Sequence, residues 1–223
     1  MIAAIAGLAA GILHVLSGPD HLATVGTLAI EERRRSWVTG FVWGVGHTSG
    51  VWIAGALVLV LRAFLPLEQM ASWSEYLASL GLVGIGLWGL YKGLAHKIHE
   101  HEHEHQDRVH IHHHVHRAAA PSAHAHGHHV HTHVACGLGI LHGLAGSSHF
   151  LGILPALALP SNTHALIYLG GFGAGTIGAM AGFGWAMGKV ASRAAGAGAR
   201  AHRLLLMGCS TAAIAIGCVW LMG

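Results

Sequence analysis

Charged side chains are scarce in this sequence. Twelve basic and nine acidic residues make up 9% of its 223 positions, against about 25% in soluble domains. An ordinary water-soluble globule is not the expectation for such a chain. Cysteine is equally rare. Cys136, Cys209 and Cys218 all lie in apolar segments and none belongs to a C-x-x-C pair. They give no disulfide framework and no redox compartment, and read as small core residues. The six methionines form no cluster, which argues against a soft copper(I) site. The N-terminus lacks a basic region ahead of its apolar run, and the run outlasts a signal sequence, so no cleavable signal peptide is expected.

What the chain has is apolar length. Its residues are 53% hydrophobic and its mean hydropathy is +0.54. A bilayer crossing takes about 20 helical residues. Six segments reach that length: residues 2–29, 37–61, 76–95, 134–159, 163–188 and 204–222. Together they fill the chain and leave no soluble catalytic domain, so no enzyme is expected. Eleven of the twelve Lys and Arg fall on one side of this arrangement, in the connections after the first, third and fifth segments and, for Lys92, at the end of the third. Arg62 stands alone on the other. Positive residues stay cytoplasmic. Both termini are therefore expected outside the cell (inner) membrane and the long middle connection inside. The lipid bilayer is the first partner this implies, and no nucleic-acid partner is expected.

That middle connection, residues 96–133, holds 16 of the 23 histidines, in runs such as "HEHEHEH" and "HIHHHVH". It has too few apolar side chains to bury a core and is expected to be disordered without metal. Clustered histidine is a compositional sign of metal contact. His99, His101, His103, His105, His112, His113, His114, His128 and His129 are the candidates for weak binding. The tract divides the chain into halves of three segments, residues 1–95 and 134–223. Three is odd, so a duplicated unit enters the membrane upside down in its second copy, as in many secondary transporters. The expected fold is all-α: a polytopic membrane protein of six transmembrane helices, built as two inverted three-helix repeats with broken helices 1 and 4.

The repeat is visible at one place. "GILHVLSGPDHLATV" (11–25) and "GILHGLAGSSHFLGI" (139–153) match at an offset of 128, which aligns His14 with His142 and His21 with His149. An ionised Asp at a helix centre costs about 2.5–3.5 kcal/mol on the insertion scale, so Asp20 marks a functional site by default. The plainer reading is a helix start, with Ser17 as N-cap and Pro19 and Asp20 in the first turn. That accounts for Ser17 and Asp20 but not for the histidines. On an unbroken helix, residues seven apart lie about 10.5 Å apart along the axis, too far for His14 and His21 to share one ion. Three arrangements remain open. The chain unwinds at 17–19, the two histidines serve successive positions along a path, or residues pair across the repeats, as His21 with His149. His47, in "GVGHTSG", is either a further ligand or a packing residue with Thr48 and Ser49 as polar neighbours. His164 and His202 fall near segment ends and receive no role. Several imidazoles with one carboxylate suit nickel, cobalt, zinc or copper(II). Magnesium and calcium would need more oxygen ligands.

"SGPDHLA" and the following "WGVGH" (Trp43 to His47) resemble the nickel/cobalt transporter family and its shorter, six-span urease-associated permease branch. The family motif is H-x4-D-H; here His14, Asp20 and His21 read H-x5-D-H, one residue longer. The resemblance covers the first, second and fourth segments. It implies transport of nickel or cobalt, with His14, Asp20 and His21 in the selectivity site and His47 beside them. Two other functions are weighed against transport. One is a membrane metal store or dock that passes metal to a cytosolic metallochaperone. The other is an intramembrane metalloenzyme, for which no nucleophile stands out beyond Asp20.

Overall fold

The computed structural model of the chain describes residues 1–61, 67–95, 99–105, 108–114, 127–145, 155–156 and 158–222. Among these, helices α1 (Ile2–Ser17), α2 (Pro19–Glu32), α3 (Ser36–Leu61) and α4 (Leu67–Ala95) precede strands β1 (His99–His105) and β2 (Arg108–His114). Helices α5 (Gly127–Leu144), α6 (Asn162–Gly196) and α7 (Ala199–Leu221) follow.

The break between α1 and α2 is written in three residues. Pro19 has no N–H, and in a continuous helix its ring would collide with the carbonyl four residues back. Gly18 is extended (φ −95°, ψ 96°), and Pro19 opens α2 where a missing donor costs nothing. The two helices meet at 75°. A side chain at position 18 would strike the His21 imidazole, so glycine is required there for space. Ser17 is not the N-cap its sequence context suggests. Gly18 holds that position, with no side-chain cap, because Ser17 is still within α1, and its Oγ donates to the His14 carbonyl at 3.2 Å. At its far end α2 is tied to α4 by the Glu31–Lys92 ion pair, with Lys92 Nζ also 5.0 Å above the Trp88 ring.

The interior is lined by small and polar residues, while many large apolar side chains face out. α1 buries Ala3, Gly7, Gly11 and Val15 at four-residue spacing, while Leu13 and Leu16 lie outward. On α7, Ser210, Ala213 and Gly217 are buried, with Leu204 and Val219 outward. Small residues at such spacing let helix backbones touch, as they do in membranes. In water the outer surface would be an association-prone patch. The buried apolar cluster of Val15, Val25, Leu28, Trp43, Ile85, Ala135 and Met180 surrounds the helix break.

The close approaches also fix helix directions. Gly7 and Gly11 lie on the carbonyls of Tyr168 and Phe172, and Gly139 and Gly143 on those of Trp43 and His47. In both cases the numbering rises together, so α1 runs parallel to α6, and α5 parallel to α3. Gly40 lies on Met180 and Gly184 on Ser36, while Gly86 lies on Ser210 and Gly217 on Ser79. Here the numbering runs in opposition, so α3 is antiparallel to α6, and α4 to α7.

Among the described residues, three helical stretches are long and apolar enough to cross a membrane: residues 75–95, Asn162–Gly196 and Ala199–Leu221. The bent α1–α2 pair is a fourth if it counts as one span. Six were expected. The apolar part of α5, His133–Leu144, is short of a crossing, and α3 carries His47, Thr48 and Ser49 at mid-length. α5 ends at Leu144 rather than running to residue 159, and the rest of that segment, with His149 and "GSS" (146–148), lies outside the described residues. α5 also starts at Gly127, which puts His128 and His129 in a helix rather than in the tract. Residues 99–105 and 108–114 pair as an antiparallel hairpin. Cys218 is exposed and Cys136 and Cys209 are half-buried, so none is a fully buried core residue.

The glycine contacts give a direct test. Gly11→Val should lower the thermal unfolding midpoint of the detergent-solubilised protein, at an overpacking cost of about 1–3 kcal/mol. Gly137→Ala, where an added Cβ meets nothing within 4 Å, should leave the midpoint unchanged or raise it.

Candidate metal centre

The 75° bend brings the two ends of "HVLSGPDH" together. His14, in the last turn of α1, and His21, in the first turn of α2, have ring centroids 4.9 Å apart. His47 enters from the middle of α3. Its ring centroid lies 4.8 Å from that of His21, and its Nε2 lies 3.2 Å from His14 Nε2. One nitrogen from each of the three falls within 4.8 Å of the others. Three atoms no farther apart than 4.8 Å lie within about 2.8 Å of a common centre (4.8/√3), against a metal–imidazole bond of about 2.0–2.1 Å. Two nitrogens 3.2 Å apart, each about 2.1 Å from an ion, subtend about 100°, between the octahedral and tetrahedral angles. Small side-chain shifts therefore convert the trio into a three-imidazole site.

Asp20 stands behind this trio. It is 2% exposed, as are His21 and His142. Its Oδ2 lies 2.8 Å from His21 Nδ1 and 3.0 Å from His142 Nε2. A carboxylate beside one ring nitrogen holds the proton there and leaves the other nitrogen's lone pair for a metal. As the second residue of α2, Asp20 also lies where a helix N-terminus favours negative charge.

Aromatic rings close the site. Trp43 lies flat on His47 (centroids 5.0 Å apart, planes 8° apart) and edge-on to His21 at 5.3 Å. Phe172 of α6 is 5.5 Å from His14, and Trp220 of α7 is 6.4 Å from His142. Neither Trp43 nor Phe172 is among the site residues expected from the sequence. Trp43 was open to discovery, since it precedes His47 by one helical turn and so shares its face. Phe172 carries no local signal. Thr48 Oγ1 is buried and makes no hydrogen bond among the described residues, so it does not serve as polar glue for His47.

Of the expected ligands, His14, His21 and His47 come together, and Asp20 and His142 form a pair adjoining them. His149 lies outside the described residues, so the His21–His149 pairing does too. Gly11 and Gly139 lie on the carbonyls of Phe172 and Trp43, and the same two rings face the aligned histidines, Phe172 at 5.5 Å from His14 and Trp43 at 5.6 Å from His142. His164 is exposed, with its N–H on the N-cap Ser161.

These features define a helical bundle with membrane-length apolar helices and a buried imidazole cluster at a broken helix. The urease accessory protein UreH of Bacillus sp. (strain TB-90) is 30% identical over 173 residues, covering 77% of this chain and 69% of that protein. The chain belongs to the UreH family. Chloroplast proteins FOR GROWTH AND FERTILITY 1 and 2 of Arabidopsis thaliana are each 33% identical over 175 residues, 78% of this chain. The chain spans less than half of their length, 46% and 44%. No family model and no solved structure matches it.

The stack on His47 predicts an optical signature. One equivalent of Co2+ or Ni2+ should quench part of the tryptophan fluorescence, and Trp43→Phe should remove that part. Quenching unchanged in Trp43→Phe would place the first ion elsewhere.

Proposed function

We propose that this chain is a membrane permease for a divalent transition-metal cation, nickel or cobalt first, with zinc and copper(II) accommodated by the same ligand types. The observation that carries this is the convergence of three imidazole nitrogens at a break in an apolar helix. Broken helices place substrate sites in transporters, and an intramembrane ionisable group marks a substrate path. His14, His21 and His47 are the ligands, Asp20 orients His21 and offsets part of the ion's charge, and His142 holds Asp20. Three neutral imidazoles and one carboxylate leave a dipositive ion with one net positive charge, compatible with binding and release.

Membership of the UreH family supports the reading, since that relative is named for urease and the H-x5-D-H motif resembles that of nickel/cobalt transporters. An inverted repeat is supported by helix direction. With α1 parallel to α6, α5 parallel to α3, and α3 antiparallel to α6, α1 and α5 run oppositely, as inverted counterparts must. The contacts also interchange. α1 on α6 becomes α5 on α3, while α3 on α6 and α4 on α7 map onto themselves. A metal store or a chaperone dock needs no such two-fold arrangement. Six spans in the cell membrane, with both termini outside and the histidine tract in the cytoplasm, complete the proposal. A reporter fused after Gly223 should therefore be active only in its extracytoplasmic form.

Uptake of 63Ni by proteoliposomes tests the site. His14→Ala, His21→Ala and His47→Ala should each lower uptake at least tenfold. Asp20→Asn should impair it more than Ser17→Ala, because the amide keeps the shape and loses the charge that offsets a cation in low dielectric. Uptake by all variants at the wild-type rate would exclude the site.

A further inference from the structure

The metal centre uses only the first turn of α2, and the rest of that helix carries polar groups the centre does not need. Asp20, Thr24, Thr27 and Glu31 follow one another at intervals of four, three and four residues, which puts them on one face of the helix. Thr24 and Thr27 are 1% and 0% exposed. Thr24 Oγ1 donates to the Asp20 carbonyl at 2.9 Å, and Thr27 Oγ1 to that of Ala23 at 3.0 Å. Ser210 of α7, also buried, donates to the Leu206 carbonyl at 2.7 Å. Such bonds commit the hydroxyl proton to its own helix and leave the oxygen's remaining capacity as an acceptor. Thr27 and Ser210 meet at α4, where a Cβ added to Gly89 would lie 2.2 Å from Ser210 Oγ and 2.8 Å from Thr27 Cγ2. One turn further along α4, Lys92 pairs with Glu31.

We propose that this face of α2 is the ion's path from the metal centre to the end of the helix that leads into Arg33, Arg34 and Arg35, and that the Glu31 carboxylate is a second ion site at its mouth, held closed by Lys92. The proposal rests on the transport reading and extends it past the three imidazoles. A dication in an apolar interior needs ligand atoms at every stage, and buried hydroxyl oxygens one turn apart offer successive ones. Asp20 and Glu31 are eleven residues apart, about 16.5 Å along a helix axis. That is about half of a hydrocarbon core of ~30 Å, the distance from a mid-membrane site to one surface. Glu31 and Lys92 are 20% and 24% exposed, so solvent reaches the pair but not the threonines. The three arginines beyond it repel a dication, which a carboxylate at the mouth offsets. Lys92 has a second partner in the Trp88 ring, 5.0 Å from its Nζ. Its ammonium therefore keeps a favourable contact when an ion takes its place on Glu31.

Uptake of 63Ni by proteoliposomes, measured beside the Trp43-dependent quenching by Ni2+, tests the path. Thr27→Val keeps the shape and removes the oxygen, and Glu31→Gln keeps the shape and removes the charge. Each should lower uptake about tenfold, the scale of one lost contact to a charged group. Each should leave the quenching by one equivalent of Ni2+ intact, since the imidazoles are untouched, and intact quenching shows that the variant is folded. Lys92→Gln should raise uptake, because the ammonium that competes with the ion is gone. A pair that only ties α2 to α4 would make Glu31→Gln and Lys92→Gln equally harmful, and that result would overturn the proposal. Uptake at the wild-type rate in Thr27→Val would overturn it too. If Thr27→Val loses the quenching as well, the two variants at the half-exposed mouth decide alone. Uptake by His14→Ala at the wild-type rate would instead remove the transport site itself, so the two failures are read separately.

Discussion

The site depends on a helix that cannot continue. In a straight helix, His14 and His21 would be separated by about two turns, roughly 10.5 Å along the axis. The Gly18–Pro19 break folds that distance back until the rings lie 4.9 Å apart. Proline supplies the interruption, glycine leaves room for the His21 ring that swings over it, and α2 starts with Asp20 in its first turn. Without the bend, His47 would have only one of the two imidazoles within reach, and Asp20 would lose its place between His21 and His142. The bend in turn needs backing. The small-residue faces of α1 and α6 press one arm into place, and the cluster around Trp43 and Met180 fills the angle.

A buried carboxylate is costly unless it is paired, and here one oxygen is met by two imidazoles from different halves of the chain. The carboxylate comes from the first half of the chain, and the second half contributes His142 to it. The result is three imidazoles facing one another, a carboxylate behind one of them, and a fourth imidazole behind the carboxylate.

Much of this was legible in the sequence, for identifiable reasons. The break was readable because Ser-Gly-Pro within an apolar run has few other meanings. Asp20, His14 and His21 stood out because polar groups are so rare around them. Which helices touch was not readable, since the contacts of α1 with α6 and of α5 with α3 join residues far apart in the sequence. Ser17 has the composition of a cap, but α1 runs one residue further and Gly18 takes that position. Phe172 reached the site only through the parallel packing of α1 on α6, a contact between residues 158 positions apart that no local pattern announces.

X-ray absorption at the nickel edge, on protein lacking residues 96–133 and loaded with one equivalent of Ni2+, tests the central claim most directly. The account predicts a first shell with three imidazoles, falling to two in His47→Ala and remaining three in His142→Ala, with altered metal–ligand distances as His21 loses its fixed orientation. A first shell without imidazole, or one that loses an imidazole in His142→Ala and none in His47→Ala, would contradict it.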